Sequence, residues 1–400
     1  MSVRNLADYS VNRANISVNP LALLDRILAE IELTATQRNQ AEQSYKAVTE
    51  LLAKAGMPVQ PFGAYLFAQG SMRLGTTVRP IGKDVHDLDI MCLLRHGGRW
   101  LAPEQALELI WNTLGQHATY REMRERKCRC IRLIYARQFN IDITPAVPEE
   151  VVKKGPLFVP DRQLRTWCSS HPVGFADWFG EAAEARPIFI ATFSAKEGRE
   201  VAANSQVEPL PEHGEFDKTP LQRITQLLKR DRDEHFQNDL DHRPSSILLT
   251  TLTARAYSAE VMIPAARLFE FVIRVVARLG EFIVVDRRPG FLPYRVANPV
   301  NEQENFAEKW TRVHYDAFTR WQAGLLRRLR SIADAKGQGM DLMLNRLGEG
   351  FGKERVIAAA NALGADTSRL HQAGKLRVVG ASGLVGLAGT AMGSTIYHGK

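Results

Sequence analysis

A chain of 400 residues exceeds the roughly 250–300 at which single hydrophobic cores stop growing, so two lobes are expected. Hydrophobic residues make up 45%, no run approaches ~20 unbroken apolar residues, and the opening residues lack the apolar core of a secretion signal, which argues against a membrane span or a secreted precursor. A net charge of +8 favours anionic partners, which can be as small as a nucleoside triphosphate, and the four cysteines (Cys92, Cys128, Cys130, Cys168) form no disulfide framework, so a cytoplasmic, reducing location is expected.

Residues 1–18 read as an irregular lead-in. Asn19-Pro20 has the cap and first-turn chemistry of a helix start. Leu21, Leu24, Ile27, Leu28 and Ile31, then Val48, Leu51 and Leu52, recur at three- and four-residue steps. One long helix is therefore expected to about Lys54, ended by Gly56 and bracing both lobes. An apolar-leaning run, Ala64 to Ala68, leads into Gly70-Ser71, and Asp87 to Leu94 alternates as a strand. Gly97-Gly98 makes a turn, and Pro103 opens an amphipathic helix through Leu114. Cys130 to Tyr135 and Gln138 to Thr144 read as a hairpin-like pair of strands, the second stopped by Pro145 and Pro148. Residues 148–215, rich in Pro, Gly and charge, are expected to pass between the lobes with loops over the site. Helices follow over Leu221 to about Phe236, from Ser245 to Tyr257, over Ala265 to Leu279 and over Glu308 to Ala335. Gly380 to Lys400, dense in small residues, is expected to be a mobile tail. The domain boundary falls near 215, giving a catalytic lobe at 1–215 and a helical lobe at 216–400.

The chemistry concentrates in Gly70 to Ile90. On a strand Asp87 and Asp89 point the same way, while Leu88 and Ile90 point into a core. Two carboxylates ~5 Å apart repel by about 3 kcal/mol at an effective dielectric of ~20, a cost that a hard divalent cation with oxygen ligands offsets. Gly70 lets backbone approach closely, and exposed amides with the Ser71 hydroxyl suit anionic oxygens. A phosphate cradle one short loop from an Asp pair suggests a nucleoside triphosphate with Mg²⁺. Asp142, on the alternating stretch Phe139 to Thr144, can complete a three-carboxylate, two-metal site if its strand pairs beside the first.

Gly-Ser, an Asp-x-Asp strand and a lone Asp on a later strand together resemble the polymerase-β-like nucleotidyltransferases. Within them the chain looks most like the bacterial CD-NTases, relatives of cyclic GMP-AMP synthase. The resemblance spans roughly residues 20–320 and rests on Gln69-Gly70-Ser71, Gly75-Thr76, Asp87-Leu88-Asp89, Ile141-Asp142-Ile143, Leu227 to Asp231 and Arg243-Pro244-Ser245-Ser246. It implies an α/β (α+β) fold: a nucleotidyltransferase lobe with a small mixed sheet, and a mainly helical second lobe of the oligoadenylate-synthase type. It implies Asp87, Asp89 and Asp142 as catalytic metal ligands, Gln69, Gly70, Ser71, Lys229 and Ser245 or Ser246 as nucleotide contacts, and two Mg²⁺, replaceable by Mn²⁺. The implied activity is synthesis of a cyclic oligonucleotide from ATP and GTP, of the cyclic GMP-AMP type, as a second messenger in anti-phage defence (CBASS). Effector and regulatory proteins are the implied partners. The competing readings are a template-independent linear polymerase and a silent nucleotide- or RNA-binding module, which has no reason to keep three repelling carboxylates.

Weaker signals point elsewhere. Cys128-x-Cys130 and Cys168-x-x-His171 hint at zinc but lack a second well-spaced pair, and without a zinc insertion activation by DNA is not expected. Gly348 to Lys353 lacks P-loop spacing and reads as a helix connection. Trp167, Phe175, Trp178 and Phe179 could stack on a base, though core packing is the plainer reading. The Arg-rich runs at 121–137 and 320–330 read first as solvated faces.

Overall fold

The computed structural model describes residues 20–82, 85–135, 139–149, 155–187, 218–265, 268–288, 290–334, 340–372, 377–379, 384–386 and 390–391. The Asn19 cap and the latter part of the passage to 215 lie outside the described residues. In chain order the main elements are α1 (Pro20–Ile31), α2 (Ala35–Ala53), β1 (Ala64–Gln69), α3 (Gly70–Arg73), β2 (His86–Leu94), α4 (Pro103–Gly115), α5 (Ala118–Met123), β3 (Arg124–Arg126), β4 (Ile131–Tyr135) and β5 (Phe139–Pro148). They continue with β6 (Leu157–Asp161), β7 (Thr166–Ser170), α6 (Pro172–Glu184), α7 (Pro220–His235), α8 (Ser246–Glu260), α9 (Leu268–Arg278), α10 (Arg312–Asp334), α11 (Met340–Phe351) and α12 (Lys353–Gln372).

The chain divides into two compact units, Glu32–Gln322 and Met1–Ile31 with Ala323–Lys400. Within the larger unit, side chains of α7 are hydrogen-bonded to the loop that follows α3. The long helix expected from Pro20 to Lys54 is two helices. Thr34 and Gln37 form a capping box that starts α2 afresh. Glu32 is turned instead toward Lys218 and toward Gln226, whose Nε2 lies 2.8 Å from Glu32 Oε1.

In the larger unit a seven-stranded mixed sheet runs β1-β2-β5-β4-β3, with β6 joined to β5 and β7 to β6. β2 and β5 are parallel and the other pairs antiparallel. Alternation sends Leu88, Ile90, Cys92, Ile131, Leu133, Ile141 and Ile143 into a core shared with Tyr45, Val48 and Leu52 of α2 and Leu107 and Ile110 of α4. The opposite face carries the polar positions Asp87, Asp89, Arg132 and Asp142. Contrary to expectation, Pro145 does not stop β5, which continues to Pro148. Its antiparallel neighbour β4 begins only at Ile131, opposite Ile143, so β4 does not pair with Pro145, which lacks a donor. The β6–β7 hairpin and α6 occupy much of the segment read as irregular passage.

α7 opens with the Thr219–Gln222 capping box, and α8, capped by Ser245, is buried along most of its length. Trp321 of α10 is fully buried and donates to Asp231 Oδ1 at 2.8 Å.

In the other unit α1 packs on α12, with Leu23, Ile27 and Ile31 fully buried and Arg355 Nη1 donating to Glu30 O at 2.9 Å. Gly348 lies inside α11, and Gly352, at φ +87°, joins α11 to α12, as a helix connection requires. In the stretch expected as an irregular tail, short strands at Leu384–Gly386 and Thr390–Ala391 pair with Arg377–Val379, whose β-branched residues suit a ladder. Among the described residues no helix is long and apolar enough to cross a membrane.

Candidate active site

β1 ends at Gln69, and the chain turns at once into the single helical turn α3. Gly70 makes that turn possible, with φ at +63°. It also has no room for a side chain: a Cβ there would sit 2.1 Å from Asp89 Oδ2 and 3.3 Å from Asp89 Cβ. The close approach follows from register, because Gln69 of β1 lies opposite Asp89 of β2.

Asp89 in turn lies opposite Asp142 in the parallel pairing of β2 with β5, and Asp87 lies opposite Asn140. The expected convergence of the three carboxylates on neighbouring strands is thus present. Asp87 is exposed and Asp89 half-buried. Asn140 Nδ2 donates to Asp87 Oδ1 at 2.9 Å. Burial, then the charges of Asp142 and Asp87, push the Asp89 carboxyl up to about 7. That accumulated negative charge, carried by hard oxygen donors, fits divalent cations. Among the described residues, no three His, Cys, Asp or Glu side chains already stand as a metal-holding group. Instead Arg132 of β4, opposite Asp142 in the β4–β5 ladder, grips that carboxylate with both ends of its fork, Nε to Oδ1 and Nη2 to Oδ2 at 2.7 Å each. Its Nη2 also lies 3.4 Å from Asp87 Oδ1.

The far wall comes from α7 and the start of α8. Lys229 Nζ donates to Thr76 O at 3.2 Å and Oγ1 at 2.8 Å. Gln222 Nε2 donates to Leu74 O at 3.0 Å and Gln226 Nε2 to Thr77 O at 2.7 Å. Residues four and seven apart on one helix face therefore hold the carbonyls of Leu74, Thr77 and Thr76 in the loop behind Ser71. Thr77 Oγ1 donates to Ser71 Oγ at 3.2 Å. Burial, followed by the neighbouring Arg232 charge, lowers Lys229 to about 7.

Between the walls lies a cavity of about 570 Å³, within the range of small-molecule sites. Gly70, Ser71, Asp87, Asp89, Lys229 and Ser246 line it. Gln69, Ser245 and Asp142 are not among its lining residues. Gln69 ends β1. Ser245 is the cap of α8, accepting from Leu248 N at 3.4 Å. Ser246, one residue on, accepts from Arg232 Nη1 at 3.1 Å. Asp142 sits under Arg132.

Sequence reasoning missed Arg132, Asn140, Thr77, Arg232 and Asp233, and quoted Thr76 and Arg243 without a site role; all of them line the cavity. For Asn140 and Arg132 a signal existed: both alternate onto the face of Asp142 in the expected hairpin. Arg132 was hidden by its Arg-rich run, whose other members include Arg124 and Arg126 over the Trp111 ring, at 4.0 and 3.6 Å from its centroid. The aromatic residues Trp167, Phe175, Trp178 and Phe179 are not in the lining either; Phe175 and Phe179 are buried. Cys128 donates to Asp161 Oδ1 at 3.2 Å, beside Arg129.

Comparison with known proteins bears on this arrangement. Residues 21–182 match the Second Messenger Oligonucleotide or Dinucleotide Synthetase domain. A c-di-GMP synthase of Roseivirga ehrenbergii is 29% identical over 306 residues, covering 74% of this chain and 75% of that protein. The cyclic dinucleotide synthase CdnG of Bradyrhizobium diazoefficiens is 27% identical over 315 residues, covering 72% of this chain and 70% of that protein. The solved structure of the Bradyrhizobium diazoefficiens CD-NTase CdnG in complex with GTP has the same fold, with a TM-score of 0.64 at 21% identity over 86% of this chain and 98% of that one. With that fold, and with Gly70, Ser71, Asp87, Asp89 and Asp142 all inside the matched stretch, residues 21–182 form a Second Messenger Oligonucleotide or Dinucleotide Synthetase domain, in an enzyme that has the fold of the bacterial CD-NTases.

Proposed function

We propose that this enzyme joins nucleoside triphosphates into a guanine-containing cyclic dinucleotide. The observation that carries the proposal is the meeting of Ser71, Lys229 and Ser246 with Asp87 and Asp89 around one cavity. The names of the two curated relatives support the dinucleotide product, and the GTP in the related solved structure supports guanine. The sequence reading of ATP with GTP is the mixed member of the same product class.

Ser71, Lys229 and Ser246 hold the donor triphosphate, Lys229 as a point charge on phosphate oxygens. Asp87, Asp89 and Asp142 are the residues that would hold two Mg²⁺ or Mn²⁺, which when bound supply charge neutralisation at the phosphate and a lowered pKa for the acceptor hydroxyl. Asp142 helps take the proton of that hydroxyl as its oxygen attacks the donor α-phosphorus. A phosphorus–oxygen bond forms to the acceptor, the bond to the leaving oxygen breaks, and pyrophosphate departs. A second round within the linear intermediate closes the ring. We place the enzyme in the cytoplasm and its product in anti-phage signalling to an effector, on the strength of the family alone.

The test is incubation with GTP alone, ATP alone and both, with Mg²⁺ or Mn²⁺, then phosphatase treatment and separation, with the Asp87→Asn/Asp89→Asn variant as control. A compact phosphatase-resistant product that requires GTP and disappears in the control is expected. A ladder or extended RNA refutes cyclisation, and a product from ATP alone refutes the guanine assignment.

A further inference from the structure

The carboxylate that the proposed chemistry needs at the acceptor is already occupied. Both oxygens of Asp142 accept from Arg132 at 2.7 Å, and the same guanidinium reaches Asp87 Oδ1 at 3.4 Å. Arg132 lines the cavity and Asp142 does not. The contact is built by register on both sides: Arg132 opposes Asp142 in one ladder, and Asp142 opposes Asp89 in the next. The arginine is therefore fixed by the hairpin and is not a surface side chain that happened to fold inward.

We propose that Arg132 is the resident counter-cation of the site, holding Asp142 and Asp87 until a divalent ion displaces its fork from Asp142, so that this arginine sets the metal threshold of the enzyme. The inference rests on the metal-dependent reading above. An arginine does not lose its proton in a protein, so Asp142 cannot be released by titration of its partner. Release comes by competition, in which an ion of higher charge takes the carboxylate oxygens and the guanidinium swings away. A bidentate fork on a carboxylate is among the stronger charge-assisted contacts, so the competition has a substantial cost. Without Arg132 the three carboxylates lose the guanidinium that contacts Asp142 and Asp87, and a divalent ion gains what the arginine gave up.

The experiment is Mn²⁺ binding to the nucleotide-free protein, followed by the paramagnetic resonance of free Mn²⁺. Wild type, Arg132→Met and Arg132→Lys are compared, each with and without Asp142→Asn. Arg132→Met is expected to bind Mn²⁺ at least about tenfold more tightly than wild type, the scale set by removing one positive charge in contact with the ligands. Arg132→Lys, which keeps the charge and loses the fork, falls between them. Asp142→Asn abolishes the gain. In EDTA the Arg132→Met protein melts below wild type, and Mn²⁺ restores it. Unchanged or weaker Mn²⁺ binding by a folded Arg132→Met protein overturns the proposal, as does a gain that survives Asp142→Asn. If Arg132→Met does not fold, Arg132→Lys carries the test with the same ordering against wild type. Wild-type Mn²⁺ binding that is lost in Asp87→Asn/Asp89→Asn keeps the metal-dependent reading standing even where the role of Arg132 fails. Mn²⁺ binding that ignores all three carboxylates in every variant overturns both.

Discussion

Replacing Gly70 with alanine tests whether the turn after β1 and the carboxylate of Asp89 are one mechanical unit. The new methyl meets two penalties. The backbone is left-handed at φ +63°, which costs an L residue roughly 1–2 kcal/mol. The Cβ would also lie 2.1 Å from Asp89 Oδ2, well inside contact distance, and 3.3 Å from Asp89 Cβ, which the strand cannot move. Only rotation of the carboxylate relieves the overlap, and the oxygen must travel about 1 Å. A displacement of about that size in a reacting constellation can cost about 10²-fold in rate. Gly70→Ala is therefore expected to lower pyrophosphate release from GTP by about 10²-fold and to lower the melting temperature by a few degrees. Gly56→Ala separates the two causes. It has the same sign of φ, +82°, but no atom within 4 Å of its added carbon. It is expected to share the stability loss and keep the activity. Activity of Gly70→Ala within about threefold of wild type refutes the coupling of Gly70 to Asp89.

Asp89→Asn is expected to stabilise the fold while abolishing catalysis. Burial and the neighbouring Asp142 and Asp87 raise the Asp89 carboxyl from 3.8 to about 7. Below 3.8 both folded and unfolded chains hold the proton. Between 3.8 and about 7 only the folded chain does, so stability falls as pH rises through this window, and the full cost persists above it. The displacement sets an upper bound of about 4 kcal/mol, and partial exposure reduces the expected gain to about 1–2 kcal/mol at pH 8. Melts in EDTA from pH 4 to 8 check it; an Asn variant less stable than wild type at pH 8 contradicts the assignment. Gln226→Leu removes the donor to Thr77 O, leaving that buried acceptor unmet at about 1–3 kcal/mol, while Glu32 Oε1 keeps Lys218. Its expected signature is a lower melting temperature together with a raised KM for GTP. A variant that melts early but binds GTP normally shows that the loop behind Ser71 does not depend on this clamp.

Much of the site was readable in the chain because its signals are local. Period-two alternation placed Asp87 and Asp89 on one face and Leu88 and Ile90 on the other, and the sheet places them so. Pro244-Ser245 announced a helix start, and Ser245 caps α8. The pairing of Asp142's strand with β2 was expected only as a condition, since strand order is not written in either segment, and the parallel ladder meets it. The remaining features depend on groups distant in sequence. Whether the first helix runs through residues 32–34 was decided by Lys218 and Gln226, which draw Glu32 aside, and by the Thr34 cap. The contacts of α7 with residues 74–77 likewise join segments far apart in the chain. Ser246 rather than Ser245 lines the cavity because the cap consumes the first hydroxyl and the helix turns the second toward Arg232. Above all, the sequence by itself determined which residues carry charge in this site, whereas tertiary structure decided which charge meets which. A hairpin's offset selects one arginine from an Arg-rich run and lays it on Asp142, and only the folded ladder fixes that offset.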